Sequence, residues 1–504
     1  MQIFIRRIFR WSSIGIASPL KISTMHHKAD VSSQAKHVHL SANPMELSFF
    51  SWICSVAPAF PVRAQNIKIL SEPSEFYDAL LRKSSTAKHR IVVSSLYLGT
   101  GHLEKALVES IRHRMVDLQG QLKVTFLLDH CRGSRGNINS RSMIAPLLEE
   151  QPDSVQVSLY HTIALRGLLR SILPQRFNEV VGLQHMKLYI FDNTIIISGA
   201  NLSHDYFTNR QDRYVIIEDC EDLANFYVNL VHKVCEFSFQ LLPNGSTELH
   251  SAWPPDCHPY NGDKNKFIDN AQRQIEKIIK PTTIESKNIP KNTSDTWVYP
   301  LVQMGQLKIH QDSEVTLDLL QRSPPGSQIH LATGYFNLPK QYMDIILNKS
   351  EATYHILTAH PTANGFLNAP GLAGGIPALY TQLAKDFFLR SCALKQHNRV
   401  QIQEYIQPGW TYHGKGLWLT LPGQQFPSLT LIGSPNFGSR SVDRDLETQI
   451  AIVTSNEELQ SRLADERNRL YGKGHEVNKA TFTRNDRQVP LWVFCISRFF
   501  RRLF

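Results

Sequence analysis

Short, strongly apolar runs alternate with longer stretches of helical periodicity along most of the chain. IVVSSLYLG from Ile91, KVTFLLDH from Lys123, VQVSLY from Val155, HMKLYIF from His185, NTIIISG from Asn193 and RYVIIED from Arg213 are short and rich in β-branched residues, so they predict strands. HLEKALVESIRHRMVDL from His102 and ANFYVNLVHKVCEFSFQLL from Ala224 predict helices. Strands interleaved with helices predict an α/β layout.

The same order then recurs. IHLATGYFN from Ile329 resembles the run at Ile91, and YHILTAHPTANGF from Tyr354 resembles the one that follows it. VQIQEYI from Val400 resembles VQVSLY, and SLTLIGSPNF from Ser428 resembles TIIISGANLS. An offset of about 230 to 240 residues held across successive elements marks a tandem duplication. The expected organisation is a leader over 1–30, a first domain over 65–245, a linker over 246–300 rich in Pro, Asn, Ser and Lys, a second domain over 301–475 and a distinct tail over 489–504.

Composition refines this layout. With 504 residues, 42% hydrophobic and 19% charged, the chain is long enough for two domains and matches neither a disordered nor a polytopic membrane protein. A formal charge of +10 favours an anionic partner, whether nucleic acid, membrane or phosphorylated substrate. The seven cysteines show no C-x-x-C pair or zinc-like spacing and read as reduced thiols. The leader carries Arg6, Arg7 and Arg10, is serine-rich and has no acid before Asp30, as in a mitochondrial transit peptide. The longest apolar stretch, Leu47–Val62, is too short for a spanning helix and is broken by Pro58 and Pro61, so membrane contact is expected to be peripheral. On a helix the tail would gather Arg498, Arg501 and Arg502 opposite Trp492, Ile496, Phe499, Phe500 and Leu503, which suits an anionic membrane surface.

The chemistry lies in QHMKLYIFD and YHGKGLWLT. Alternation along a strand puts His185 and Lys187 on one face, and likewise His413 and Lys415. Imidazole can serve as nucleophile or proton carrier near neutral pH, and the neighbouring ammonium can neutralise a phosphate oxygen. Asn201 and Asn436 occupy matched places after the next strand, where a carboxamide could donate to a phosphate oxygen. Asp212 and Glu447 follow them at equal intervals, and each could orient an imidazole. One H-x-K has little weight, whereas recurrence with the asparagine and the acid carries much more. SSLYLGTG ends a strand in glycine, so Ser94, Gly99, Thr100 and Gly101 could face a nucleotide or phosphate, although a simple strand-to-helix turn is the plainer reading. His102, His130, His330, His355 and His360 sit near strand ends, with structural histidine as the default for each.

These paired motifs resemble those of the phospholipase D superfamily. TYHGKGLWLT, LTLIGSPNFGSRSVDRDLE and SSLYLGTG further resemble the mitochondrial phosphatidylglycerophosphate synthases, a likeness covering about 65–475. The resemblance implies two α-β-α sandwich domains related by a pseudo-twofold axis and sharing one active site. It also implies transfer of a phosphatidyl group from CDP-diacylglycerol to glycerol 3-phosphate, by way of a phosphatidyl-histidine. His185, Lys187, Asp192, His413 and Lys415 would be the catalytic set, with His185 as nucleophile and His413 as proton carrier, or the reverse, and with no metal or cofactor. Thr420 stands where the second motif would carry its aspartate, so the copies are asymmetric. The resemblance places the protein on the mitochondrial inner membrane, without nucleic acid as partner. The rival reading is a phosphodiesterase hydrolysing lipid or nucleic acid with the same histidines; a third class, a lipid-binding protein without catalysis, would tolerate loss of a histidine.

Overall fold

The computed structural model describes residues 45–494 apart from 174–177, 179–180, 282–293, 368 and 370. The leader and residues 495–504 of the tail lie outside the described residues. At the start of the tail Leu491, Trp492 and Phe494 are exposed, and the Trp492 indole packs on Gly375.

Two nine-stranded sheets repeat one topology. The first runs in the order Thr247–Leu249, Phe239–Leu241, Val155–Tyr160, Lys123–Asp129, Arg90–Ser94, Leu188–Phe191, Thr194–Ser198, Tyr214–Ile217, Ile67–Leu70. Arg90–Ser94, Lys123–Asp129 and Val155–Tyr160 are parallel, and the remaining neighbours are antiparallel. In the second sheet Val400–Tyr405, Thr353–Ala359, Gln328–Thr333, Gly416–Thr420, Leu429–Gly433 and Leu446–Thr454 occupy the matching central positions, followed by Thr296–Met304 and Phe60–Val62.

The strands read as near-continuous apolar runs because both sheet faces are covered. Helices Pro73–Thr86, His102–Asp117 and Ser140–Glu150 pack one face of the first sheet through Phe76, Leu107, Ile111 and Ile144. On the other face, Leu223, Leu230 and Val234 of helix Glu221–Glu236 and Leu459 and Leu463 of helix Glu457–Tyr471 enter a core continuous with Ile195 and Val215 of the first sheet and Val298 and Ile450 of the second. The two halves thus share one core. Within it Arg213, fully buried, pairs with Glu466 at 2.8 Å, donates to Leu431 O and Thr430 Oγ1, and lies 3.7 Å from the ring centroid of Trp418. Removing one partner of such a pair costs about 3–5 kcal/mol, because the other charge is stranded.

Two expectations change. The helix expected through Leu242 ends at Glu236, and Phe239–Leu241 joins the first sheet. The stretch expected as linker carries the edge strand Thr247–Leu249 and the start of the central strand Thr296–Met304; between them, the helix Lys264–Ile279 buries Phe267, Ile268, Ala271 and Ile275. Leu47–Val62 packs into the core through Phe50 and Ile53, and its end, Phe60–Val62, crosses to pair with the second sheet. No disulfide links the described cysteines, and no described helix is long and apolar enough to cross a membrane.

Candidate active site

Reciprocal pairing between the halves builds the site. The segment before Leu188–Phe191 pairs with the start of Leu446–Thr454: Leu446 N–H donates to Leu183 O at 2.8 Å and His185 N–H to Leu446 O at 2.9 Å. Across the pseudo-twofold, Thr411–Tyr412 pairs in parallel with Arg210–Gln211, and His413 N–H donates to Gln211 O at 2.8 Å. Each register sets a histidine of one half beside the acid of the other. His185 Nδ1 is 2.9 Å from both carboxylate oxygens of Glu447, and His413 Nδ1 is 2.6 Å from Asp212 Oδ2, so each ring donates its Nδ1–H and turns Nε2 toward the reacting position.

Both pairs of H-x-K residues are buried. Lys187 Nζ donates to the carbonyl of His185 at 2.7 Å; Lys415 Nζ lies 2.8 Å from Nδ1 and 3.2 Å from Nε2 of His413. Gly199 makes this approach possible, since a Cβ there would stand 2.7 Å from Asp212 Oδ1 and 2.8 Å from Lys415 Nζ. Burial, then Lys187, holds His185 well below the usual imidazole range; burial, then Lys415 and Arg210, does the same for His413, so both rings are neutral at pH 7. Burial also lowers the two lysines, opposed by Glu447 at Lys187 and by Asp212 at Lys415. Asp212 is pushed up to about 6 by burial, against the pull of Lys415, and Glu447 rises for the same reason against Lys187.

The two histidines differ at Nε2. His413 Nε2 is 3.3 Å from the hydroxyl of Tyr206, and its ring meets Tyr206 and Tyr335 edge-on at centroid separations of 5.1 and 5.7 Å. Asn201 Nδ2 donates to that same hydroxyl at 3.2 Å. The Oδ1 atoms of Asn201 and Asn436 are buried without a hydrogen-bond partner among the described residues.

Other expected site residues lie elsewhere. Asp192, grouped above with the catalytic residues, sits in a left-handed turn at φ 52°, beyond the far end of Leu188–Phe191, where its carboxylate accepts the backbone N–H groups of Lys88, His89 and Arg90. It anchors a turn. Thr420, at the matching place, ends a strand opposite Gln328. Ser94 Oγ accepts from Gln184, whose amide also ties Ser95 and Leu127 beneath His185. The loop to Gly101 closes on a protein carboxylate: Gly99 N–H donates to Leu202 O, and side chains at Gly99 or Gly101 would meet Glu104. Thr100 lies at the exposed tip of this loop. His102 meets His204, His130 meets His161, His330 stacks on His355 and His360 caps a turn, all away from the two H-x-K pairs. A cation could find His185, Asp445 and Glu447 as ligands, but Glu447 is engaged by His185, Asp445 by Arg440 and Leu183 N–H, and two ammonium groups stand close by.

No family model matches the chain. Over 481 residues it is 44% identical to the mitochondrial CDP-diacylglycerol–glycerol-3-phosphate 3-phosphatidyltransferase of Homo sapiens, covering 90% of this chain and 86% of that protein. The chain belongs to the family of CDP-diacylglycerol–glycerol-3-phosphate 3-phosphatidyltransferases. The Saccharomyces cerevisiae member is 31% identical over 485 residues, covering 92% of this chain and 91% of its own. Among solved structures, phosphatidylserine synthase of Haemophilus influenzae superposes with a TM-score of 0.67 at 20% identity, over 90% of this chain and 96% of that one, which shows the duplicated phospholipase D-like fold. Within this family member, motif spacing points to the H-x-K pairs, the asparagines and the acids; it misses Tyr206 and Arg210, which act on His413 from the opposite half, and Tyr335, which meets it from its own half.

Proposed function

We propose that the protein transfers the phosphatidyl group of CDP-diacylglycerol to glycerol 3-phosphate, releasing CMP and forming phosphatidylglycerophosphate. The observation that carries this reading is the convergence of two His–Lys pairs on one buried centre, each imidazole backed by a carboxylate from the opposite half. His185 Nε2 attacks the phosphorus that bears diacylglycerol, and the bond from phosphorus to the CMP oxygen breaks. His185 is assigned as nucleophile because its Nε2 meets no hydrogen-bond donor among the described residues, whereas that of His413 meets the Tyr206 hydroxyl. His413 gives a proton to the departing CMP, then takes one from the glycerol hydroxyl that attacks the phosphatidyl-histidine, so one carrier serves both steps.

The empty site holds neutral imidazoles. His413 is held neutral by burial and then by Lys415; an anionic diphosphate against Lys187 and Lys415 offsets that positive charge, so His413 Nε2 takes up from solvent the proton it gives to CMP. The lysines and the amides of Asn201 and Asn436 stabilise the nonbridging oxygens, the role a divalent cation fills in other phosphoryl-transfer enzymes. A peripheral position on the mitochondrial inner membrane fits the chain's positive charge and its relatives' being named mitochondrial. The test is incubation with labelled CDP-diacylglycerol, with and without glycerol 3-phosphate. Phosphatidylglycerophosphate and CMP should appear together only with the acceptor; phosphatidate as the main product in its presence would identify a hydrolase.

A further inference from the structure

The register that superposes Asn201 on Asn436 and Asp212 on Glu447 also superposes Asp205 on Arg440 and Arg210 on Asp445. Both places hold an ion pair, at 2.9 Å in the first copy and 3.0 Å in the second, with the signs exchanged. In the first copy the arginine is the deeper member, 15% exposed against 54% for Asp205; in the second the acid is deeper, 4% against 22% for Arg440. The charge of Arg210 acts on His413 and that of Asp445 on His185. The deeper member of the pair is therefore a cation on the His413 side and an anion on the His185 side.

Arg210 is held as a binding group would be. Its Nε donates to Thr411 Oγ1 at 2.9 Å, Nη2 pairs with Asp205, and the guanidinium lies 4.7 Å from the ring centroid of Tyr206, the residue whose hydroxyl faces His413 Nε2. Nη1 makes no hydrogen bond to a described residue. Glycerol 3-phosphate carries its phosphate three carbons from the attacking hydroxyl, a span of roughly 5–6 Å from ordinary bond lengths. With that hydroxyl at His413, and with Lys187 and Lys415 on the reacting phosphoryl group, the acceptor's own phosphate needs a further cation on the His413 side.

We propose that Arg210 binds the phosphate of the acceptor and thereby selects an anionic alcohol over a neutral one. This rests on the transfer reaction proposed above. A planar guanidinium suits a phosphate through paired N–H donors, and an exposed acid that can be displaced from Nη2 frees a second one.

The test compares Arg210→Gln and Arg210→Lys with the wild type in three assays: KM for glycerol 3-phosphate, turnover with glycerol, and exchange of labelled CMP into CDP-diacylglycerol without acceptor. Arg210→Gln should raise KM for glycerol 3-phosphate by about 10- to 100-fold, the loss expected for hydrogen bonds to a charged group, with kcat changed less. Preference for glycerol over glycerol 3-phosphate should rise, Arg210→Lys should fall between, and CMP exchange should fall less than transfer to glycerol 3-phosphate. An unchanged KM, or loss of exchange in parallel with transfer, overturns the assignment and makes Arg210 a structural or leaving-group residue. A wild-type enzyme that exchanges CMP but ignores glycerol 3-phosphate would instead overturn the transfer reaction itself.

Discussion

Asp312 opens helix Gln311–Arg322 beneath the strand that carries Glu447, and accepts a hydrogen bond from the side chain of Gln449. Burial, with the charge of Glu447 adding to it, pushes this carboxyl from an ordinary 3.8 up to about 7, despite the Gln449 bond. The folded protein keeps a proton that the unfolded chain loses, so Asp312 subtracts stability as pH rises between those values and no more above them. Asp312→Asn retains an acceptor for Gln449 but cannot ionise. Relative to wild type it should gain about 1.4 kcal/mol of stability per pH unit from about pH 4 to 7, levelling near 4 kcal/mol. Other buried groups titrate in both proteins, so the difference between them isolates this carboxyl. Urea unfolding followed by tryptophan fluorescence at pH 5, 6, 7 and 8 measures it. A difference independent of pH, or an Asn variant that loses ground as pH rises, would refute a buried, protonated Asp312.

His185→Ala and His413→Ala should each abolish CMP release while leaving the circular dichroism spectrum intact; near-normal turnover in either would dismiss the shared site. Because burial places Asp212 near 6, kcat should fall as pH drops through about 6 and the carboxylate backing His413 takes up a proton; a pH profile flat through that region would contradict this. EDTA should leave initial rates unchanged, and inhibition reversed by a divalent cation would remove the lysines from their assigned role. Asp192→Asn should cost about 1–2 kcal/mol in unfolding experiments, as for a lost backbone cap, with kcat barely altered; a large fall in kcat at normal stability would return Asp192 to the chemistry.

His185, Lys187, His413 and Lys415 were legible because strand alternation fixes which face two residues share, and duplication repeats the pattern. The parallel core strands were legible for a similar reason: covered on both faces, they read as unbroken apolar runs. The partnership of His185 with Glu447 and of His413 with Asp212 was not legible, because it depends on which strand ends meet across the interface, and no local period encodes that. The same holds for Tyr206 and Arg210. Which backbone groups Asp192 supports was not legible, because a fixed spacing after Lys187 says nothing of what meets the far end of the strand. Thr296–Met304 was hidden by its polar flank. Aligning whole segments by one register, beyond the histidines themselves, would have exposed the inverted pair formed by Asp205 and Arg210 against Arg440 and Asp445.

Because each imidazole takes its carboxylate from the other half, a single half standing alone would hold a histidine with nothing to orient it and an acid with nothing to orient. An ancestor of half this length could have worked only as two identical subunits trading carboxylates across their interface. Joining the copies in one polypeptide made that encounter intramolecular and fixed its stoichiometry. It also released them from being identical. Any change in a self-paired ancestor must appear at both ends of the site, whereas a fused chain can place an arginine at one end and an aspartate at the other, giving donor and acceptor different receptions.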